Sequence, residues 1–244
     1  LNLFIVETNN NPFLSDYKLP KIDFIALVPL QVSNILKANL ADLKNIRNII
    51  IGGANVSNEI IELLKLNEIQ AFQTFGMTET ISHFALKKIG KITEPFYSTN
   101  KNITISINKQ NNTLIVNAPK IGVIDLNSTD IIELINEHQF KWIGRSDYII
   151  NSGGIKINPE EIESKISKFI PKPFFIYGIK DELLGEKLVL FIESEKSILI
   201  NEEYKNSLPT KYYMPKEIIY LNQFIRTNSN KINRKKTVEE FKLK

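Results

Sequence analysis

The chain has 244 residues, of which 43% are hydrophobic and 24% are charged, with a formal net charge of +4. These values are typical of a globular protein with one large or two modest domains, and they exclude the disordered class. Because the sequence has no cysteine, disulfides, thiolate metal sites and a cysteine nucleophile are excluded. Any thiol in the chemistry has to arrive on a substrate.

No run of residues approaches the roughly 20 apolar residues that a membrane helix needs. Residues 1–10 lack the basic start and the length of a signal peptide. We therefore expect a cytoplasmic protein whose partners are neither a membrane nor nucleic acid. A basic nucleic-acid-binding protein remains an alternative on net charge alone, and it would show steep salt dependence. The only concentrated basic block, residues 231–236, reads more often as a solvated face than as an anion patch.

The first third of the chain alternates strands with helices. Apolar strands are predicted at residues 23–28, 46–51 and 71–75, with helices starting at Pro29 and near Ser57. This order favours a parallel α/β sheet, in which ligands bind beyond the carboxyl ends of the strands. Residues 52–54 and 76–79 lie at two such ends, so we expect these loops to share one crevice.

The next stretch alternates apolar and polar residues. Residues 103–117 predict a hairpin with a polar turn near 110–112, and a second hairpin follows around 131–142. The two hairpins indicate a small β-rich subdomain.

Residues 143–163 have the composition of a connector between two bodies. A pair of glycines lies between short apolar runs, and Asn158, Pro159 and Glu161 follow as an N-cap, a first-turn proline and a carboxylate that returns to the cap. We therefore predict a domain of residues 1–145 and a second domain of residues 146–244, and the family resemblance described below implies that the second domain is mobile.

The second predicted domain has an α+β pattern. The sequence predicts a helix at 159–169, strands at 173–179 and 187–193, and a short helix at 202–208. Together these elements form a module of about 100 residues.

Four segments resemble the adenylate-forming superfamily of acyl-CoA ligases, peptide-synthetase adenylation domains and luciferases. They are GGA at 52–54, FGMTET at 75–80, the connector at 143–163 and RTNSNKINR at 226–234. The resemblance implies that family's α/β fold: part of a large N-terminal domain, with a parallel sheet and a small β subdomain, followed by a small α+β C-terminal domain. Phrases between residues 24 and 163 are most similar to the 2-succinylbenzoate–CoA ligases of menaquinone biosynthesis.

The resemblance implies nucleotide contacts in the FGMTET segment. Phe75 would lie against the adenine ring, Thr78 would contact the α-phosphate, and Glu79 would hold Mg²⁺. Gly76 would also belong to the nucleotide-binding set. Each residue type suits its task, since a flat ring stacks on a base and a carboxylate binds a hard cation. The loop Gly52-Gly53-Ala54 would bring its backbone close to the nucleotide and the acyl group.

Further nucleotide contacts are implied later in the chain. Asp130 would bind the ribose hydroxyls, and Arg145 would contact the ribose or a phosphate. Lys231 would be the catalytic lysine. The family pattern has glycine where Asn230 stands, and asparagine also accepts left-handed backbone conformations.

The remaining implied roles concern the acid and the thiol. Asp147 would be the hinge of a domain rotation, and Gly153 and Gly154 would leave room for the pantetheine arm of coenzyme A. A final set of polar residues would line the acid pocket: Gln31, Ser82 and His83. For His83, a structural role is equally compatible with the sequence.

The activity implied is that of an ATP-dependent acid–CoA ligase using ATP, Mg²⁺ and coenzyme A, with 2-succinylbenzoate as the acid. A ligase for another aryl or fatty acid remains an alternative. The family's Gly/Ser/Thr-rich phosphate loop has no counterpart in these residues, so we expect either a chain truncated at its N-terminus or a catalytically weak nucleotide-binding fragment. The oligomeric state is not predicted by any pattern here.

Overall fold

The computed structural model describes residues 22–38, 40–198, 200, 202–227 and 231–242. The density of contacts divides them into two compact units. One unit holds the described residues up to Ile103 together with Ala118–Val123, and the other holds Thr104–Asn117 and the described residues from Ile124 onward. The second unit contains residues on both sides of the predicted boundary between 145 and 146, and that boundary stays a prediction. Within the described ranges, no helix is long and apolar enough to cross a bilayer.

The first unit is a five-stranded sheet with helices. Its elements are β1 (Ile22–Leu27), α1 (Pro29–Ala38), α2 (Leu40–Lys44), β2 (Ile46–Ile51), α3 (Asn58–Leu66), β3 (Gln70–Gly76), β4 (His83–Gly90) and β5 (Tyr97–Thr99). The strands lie in the order β1-β2-β3-β4-β5. The first three are parallel, as predicted, whereas β4 and β5 add antiparallel strands that the sequence reading missed.

Local sequence signals account for both long helices of this unit. Pro29 occupies the first helical position of α1, as predicted. The Ser57 hydroxyl accepts a hydrogen bond from the Ile60 N–H at 3.3 Å and so caps α3. The apolar stripes of the two helices pack into one core with the strands, contributing Val32, Ile35, Ile60 and Leu64.

The second unit begins with four antiparallel strands. They are β6 (Thr104–Ile107), β7 (Thr113–Ala118), β8 (Val123–Asn136) and β9 (Gln139–Arg145), in the order β9-β8-β7-β6. The pairs β6–β7 and β8–β9 confirm the two predicted hairpins.

A separate small sheet follows in the same unit. Its elements, with two helices, are β10 (Ile150–Ser152), β11 (Ile155–Ile157), α4 (Pro159–Ile166), β12 (Phe174–Asp181), β13 (Gly185–Glu193), β14 (Glu217–Leu221) and α5 (Arg234–Lys242). The order is β11-β10-β13-β12, and β14 runs parallel to β13.

Both faces of β13 are covered. Leu188, Leu190 and Ile192 pack with the apolar face of α4, while Val189 and Phe191 pack with Val238 of α5 and its neighbours. Because successive strand residues point to opposite faces, this continuous apolar run fills two cores.

Three details differ from the sequence reading. The helix predicted over 159–169 ends at Ile166 and continues as a 3₁₀ turn, Ser167–Phe169. The helix predicted at 202–208 is a 3₁₀ helix, Glu202–Ser207. The Asn158 cap is confirmed, but the Glu161 carboxylate accepts from Lys165 at 2.8 Å, one turn onward, instead of returning to the cap.

Candidate nucleotide and acyl site

The loop after β2 lies against the end of β3. The Gly52 N–H donates to the Leu27 carbonyl at 3.0 Å, which fixes the start of the loop. A Cβ on Gly52 would lie 2.5 Å from the Thr74 hydroxyl oxygen, and Gly53 adopts a positive φ of 82°. The sequence therefore needs small residues here because the loop passes close to β3. Gly52, Gly53 and Ala54 thus lie at the same edge of the sheet as Phe75 and Gly76.

Phe75 is half-buried on an aromatic cluster. Its ring centroid lies 5.6 Å from that of Phe84, edge to face, and 5.2 Å from that of Tyr97. The Lys87 ammonium lies 5.1 Å from the centre of the Tyr97 ring, and burial lowers the pKa of that ammonium. The cluster holds the Phe75 ring in place, and Tyr97 is a supporting residue that the sequence reading missed.

Gly76 lets two backbone segments meet. A Cβ there would lie 2.5 Å from both His83 Cα and the Ser82 carbonyl oxygen. The pairing of β3 with β4 also shifts register between Phe75 and Gly76. The glycine of FGMTET is therefore required by close packing of its own loop.

The loop from Met77 to Ser82 buries the Thr80 side chain and leaves four residues exposed, Thr78, Glu79, Ile81 and Ser82. The buried Thr80 hydroxyl accepts from the Met77 N–H at 3.2 Å and lies 2.8 Å from the Ser82 carbonyl oxygen. Thr78 and Glu79, by contrast, are exposed. The fold thus uses Thr80 to shape the loop and leaves the two residues predicted to bind phosphate and metal accessible.

Ile81 has a strained backbone. It has φ 65° and ψ −46°, and the Ser82 N–H donates to the Thr80 carbonyl at 2.6 Å across it. This geometry is the uncommon γ-turn, which is unfavourable for a β-branched residue. Ile81 is also 77% exposed, so no burial of its side chain offsets the cost.

The three predicted acid-pocket residues have local partners. The Ser82 hydroxyl lies 3.3 Å from His83 Nδ1 at the start of β4. Gln31 Oε1 accepts from the Val28 N–H at 3.0 Å, which caps α1. Capping of α1 therefore accounts for the carbonyl oxygen of the Gln31 side-chain amide.

Glu79 is the residue predicted to hold magnesium. Across the residues that the structure describes, no group of three or more His, Cys, Asp or Glu side chains is placed to hold a metal. An exposed single carboxylate fits the way Mg²⁺ binds with a nucleotide, through one or two carboxylates, substrate phosphates and retained waters.

In the second unit, Asp130 and Arg145 are directly opposite each other on β8 and β9. The Asp130 carboxylate accepts from the Trp142 indole N–H at 2.9 Å. Burial lowers the pKa of Arg145, and Asp147 and Asp130 raise it by more, so the net shift is upward. Trp142 is the partner of Asp130 that sequence reasoning missed.

Arg145 also contacts the predicted hinge. Its Nη2 lies 2.6 Å from Asp147 Oδ2, and both side chains remain partly exposed. Its guanidinium lies 5.8 Å from the centre of the Tyr148 ring. The structure therefore brings together the predicted ribose contact and the predicted hinge residue.

Gly153 and Gly154 form the turn between β10 and β11. Their φ values are 59° and 80°, and Ser152 pairs with Ile155 across them. Two successive positive φ values characterise the tight hairpin turn that Gly-Gly favours. A Cβ on Gly154 would meet nothing within 4 Å, so the turn itself explains the glycines locally.

Lys231 lies in a short loop before α5. Its N–H donates to the Thr227 hydroxyl at 3.2 Å, its carbonyl accepts from the Thr227 N–H at 2.8 Å, and its side chain is exposed. Asn230 is outside the described residues. The backbone of Lys231 is thus anchored while its ammonium is accessible.

A largely buried charge cluster lies beside this segment. Arg234 Nη2 donates to Glu163 at 2.8 Å, and Arg234 Nη1 lies 3.9 Å from Glu160. The guanidinium also lies 4.7 Å from the centre of the Tyr148 ring. Burial raises the pKa of Glu163 to about 7, and Arg234 opposes that rise. The prediction of a solvated basic block is therefore wrong for Arg234. Arg234 also ends the RTNSNKINR segment, but that motif did not indicate its carboxylate partners.

The chain has solved structural relatives among adenylate-forming enzymes. It aligns with o-succinylbenzoate CoA synthetase from Bacillus subtilis, in complex with the acyl-adenylate intermediate OSB-AMP. The TM-score is 0.74 at 20% identity, covering 91% of this chain and 51% of that one. The chain has the fold of the adenylate-forming enzymes. The predicted fold class is confirmed.

The sequence is similar to 2-succinylbenzoate–CoA ligases. It is 29% identical to that of Listeria monocytogenes over 247 residues, which covers 90% of this chain and 51% of the relative. It is 25% identical to that of Staphylococcus epidermidis over 253 residues, covering 93% and 53%. A Dyadobacter fermentans protein, described as acyl-CoA synthetase (AMP-forming)/AMP-acid ligase II-like, is 28% identical at a TM-score of 0.52, covering 93% of this chain and 67% of that one. No family model matches the chain. The chain spans about half the length of the curated relatives it matches.

Proposed function

We propose that this chain functions as an ATP-dependent acid–CoA ligase. The ligase converts 2-succinylbenzoate to 2-succinylbenzoyl-CoA, a step of menaquinone biosynthesis. The observation that carries the proposal is the FGMTET loop, in which Thr80 and Gly76 fix the backbone while Thr78 and Glu79 stay exposed. The similarity to ligases named for this acid supports the choice of substrate. A dianionic acid would suit a basic, polar pocket.

In the first half-reaction, a carboxylate oxygen of the acid attacks the α-phosphorus of ATP. The bond from that phosphorus to the bridging oxygen breaks, and pyrophosphate leaves with the electron pair. The Thr78 hydroxyl donates to an α-phosphate oxygen, and the Lys231 ammonium bridges the carboxylate and the phosphate, where negative charge develops. Glu79 would hold Mg²⁺, which would supply further neutralisation of the negative charge on the phosphates.

The nucleoside is held by a second set of residues in this proposal. The half-buried Phe75 ring offers its face to adenine beside Gly76, and the Gly52–Ala54 backbone approaches the nucleotide. Asp130 accepts from the ribose hydroxyls, with its carboxylate oriented by Trp142. The planar fork of Arg145 suits a pair of oxygens on ribose or phosphate.

In the second half-reaction, the coenzyme A thiol attacks the acyl carbonyl and AMP leaves. We propose that residues after Asp147 rotate about it between the two steps, so that Lys231 leaves and the Gly153-Gly154 turn faces the pantetheine arm. Ser82, His83 and Gln31 are proposed as polar groups near the acid. Since all three substrates are polar metabolites and the chain has no cysteine, we place the reaction in the cytoplasm, without nucleic-acid or membrane partners.

Substitution of Lys231 by alanine tests the proposal. We expect pyrophosphate release from ATP with 2-succinylbenzoate to fall at least 100-fold, because the bridging charge is lost. Thioester formation from preformed acyl-adenylate should change less than threefold. Lys235→Ala is the matched control, since Lys235 is an exposed neighbour on α5. Equal losses in both half-reactions would remove the role assigned to Lys231.

The acid is tested separately with the wild-type protein. Pyrophosphate release with 2-succinylbenzoate should exceed that with fatty acids or other aryl acids at least tenfold. Turnover of a different acid alone would keep the ligase and replace its substrate.

A second candidate function is binding of AMP or an acyl-adenylate without turnover of ATP. The lack of a Gly/Ser/Thr-rich phosphate loop in these 244 residues favours it. Calorimetric binding of AMP by this chain, without pyrophosphate release, would support the second function, and normal turnover would exclude it.

A further inference from the structure

Asn158 makes two hydrogen bonds with its side-chain amide. Its Oδ1 accepts from the Glu160 N–H at 3.0 Å, which caps α4. Its Nδ2 donates to the Ile143 carbonyl at 2.6 Å. The residue is only 8% exposed, so both bonds are shielded from water. The first bond is local to the helix, whereas the second reaches back 15 residues.

Gly144 makes room for this second bond. A Cβ on Gly144 would lie 2.3 Å from Asn158 Nδ2 and 2.7 Å from Oδ1. The backbone of Gly144 is not in the left-handed region, so an alanine would fit its own conformation. The glycine is therefore explained by the approach of the Asn158 amide.

Glu160, two residues after Asn158, carries a charge in the same region. Burial raises the pKa of its carboxyl, and the positive charges of Arg234 and Arg145 oppose that rise. Arg145 Nε, Glu160 Oε2 and Arg234 Nη1 are buried atoms without a hydrogen-bond partner. These three charged side chains are thus incompletely satisfied in the arrangement seen here.

The Asn158–Ile143 bond joins residues on opposite sides of Asp147. Ile143 precedes Asp147, whereas Asn158 follows it. A rotation of the chain about Asp147 displaces one residue from the other, and a hydrogen bond of 2.6 Å does not survive a displacement of several ångströms. The Arg234–Glu163 pair lies wholly after Asp147 and can move as one body.

We propose that Asn158 is a positioning residue of the two-step reaction. We call the connector of residues 143–163 the joint. The bond from Asn158 to the Ile143 carbonyl holds the joint in the arrangement seen here, and it breaks when the chain rotates about Asp147. The bond therefore contributes to the free-energy difference between the two arrangements of the joint. It does not contribute to the chemical steps themselves. This inference rests on the proposed function, because it takes the rotation about Asp147 from it.

Two variants remove the bond in different ways. Asn158→Ser keeps a good N-cap for α4, but its shorter side chain cannot reach Ile143. Gly144→Ala keeps Asn158 and drives its amide away from Ile143. Asn222→Ser makes the same chemical change at an exposed position of the same unit and is the matched control.

The experiment compares the two half-reactions in the full gene product. One assay follows pyrophosphate release without coenzyme A, and the other follows thioester formation from preformed acyl-adenylate. We expect the ratio of the two rates to change about fivefold, in the same direction in both variants, which corresponds to loss of one hydrogen bond. The control should leave the ratio unchanged.

Limited proteolysis gives a readout that needs no activity. Trypsin cleavage after Arg145, relative to cleavage after the exposed Lys109, should rise about fivefold in both variants because the joint opens more often. An unchanged rate ratio together with unchanged cleavage would overturn the proposal, as would equal losses in both half-reactions. If the wild-type protein forms no adenylate, the proposed function fails, and the cleavage rates still decide whether Asn158 holds the joint.

Discussion

The FGMTET loop and the joint around Asp147 use their motif residues differently. In the loop, Gly76 and Thr80 shape the backbone, while Thr78 and Glu79 are left exposed. In the joint, the motif residues bind each other: Arg145 pairs with Asp147, and Asn158 bonds to Ile143.

This difference separates two kinds of motif. In FGMTET, one set of residues shapes the backbone of the loop and another set is proposed to contact the ligands. The two sets can therefore be mutated independently. In the joint the same side chains serve the fold and the proposed rotation. We therefore expect substitutions in the loop to affect either stability or activity, and substitutions in the joint to affect both.

The largest expected effect is at Arg234. Its replacement by glutamine leaves Glu163 buried without a cation, which should cost about 3 kcal/mol of unfolding free energy at pH 8. Burial raises the pKa of Glu163 to about 7 from a model-peptide value of 4.5. A carboxyl with a raised pKa stabilises the fold below its unfolded pKa and loses that contribution as pH rises through the folded pKa. At pH 5 the buried carboxyl is neutral, so the loss should be only about 1 kcal/mol.

Urea unfolding at pH 5 and pH 8 measures both values. Lys235→Gln removes the same charge from the next, exposed residue and should leave stability unchanged. If Arg234→Gln lost equal stability at pH 5 and pH 8, the raised pKa assigned to the Glu163 carboxyl would be contradicted.

A smaller effect is expected at Gly76. An alanine Cβ would meet the backbone of Ser82 and His83 at 2.5 Å, and backbone atoms cannot rotate away, so we expect a loss of about 2 kcal/mol. At Gly52 the same distance is to the Thr74 hydroxyl, a side chain that can change rotamer. Thermal unfolding should therefore show a larger loss for Gly76→Ala than for Gly52→Ala. The reverse order would mean that the loop backbone adapts.

The smallest effect on stability is expected at Glu79, next to Thr80. Glu79→Gln should leave the unfolding temperature unchanged but lower pyrophosphate release at least tenfold, with partial recovery at high Mg²⁺. Thr80→Val removes a buried hydroxyl that bonds Met77, and it should cost about 1 kcal/mol. If Glu79→Gln lost as much stability as Thr80→Val, the conclusion that Thr80 shapes the loop while Glu79 does not would be contradicted.

The sequence predicted those elements that carry a local signal. Ile46–Ile51 contains four isoleucines, a β-branched residue type that favours strands, and it forms a parallel strand between two others. Asn158 and Pro159 predicted a helix start that the structure contains. These signals lie within a few residues of the element they specify.

What the sequence did not reveal depends on distant partners. The strand β4, HFALKKIG, mixes lysines with apolar residues, and only its pairing with β3 defines it. The helix α5 is largely charged, and it is held by Val238 and Arg234 against elements far earlier in the chain. For Trp142 and Arg234, nothing in the neighbouring residues indicates a carboxylate partner.

The Arg234–Glu163 pair also bears on the order of folding. It closes a loop of 71 residues, so its formation carries a large entropic cost compared with the hairpins around it. We expect the β10–β11 hairpin and α4 to form early, with Glu163 protonated or open to water. The α5 segment, and with it Lys231, then docks late. During synthesis Glu163 leaves the ribosome 71 residues before Arg234, so its carboxyl has no cationic partner in the meantime. A chain stalled before Arg234 emerges would therefore lack a complete core.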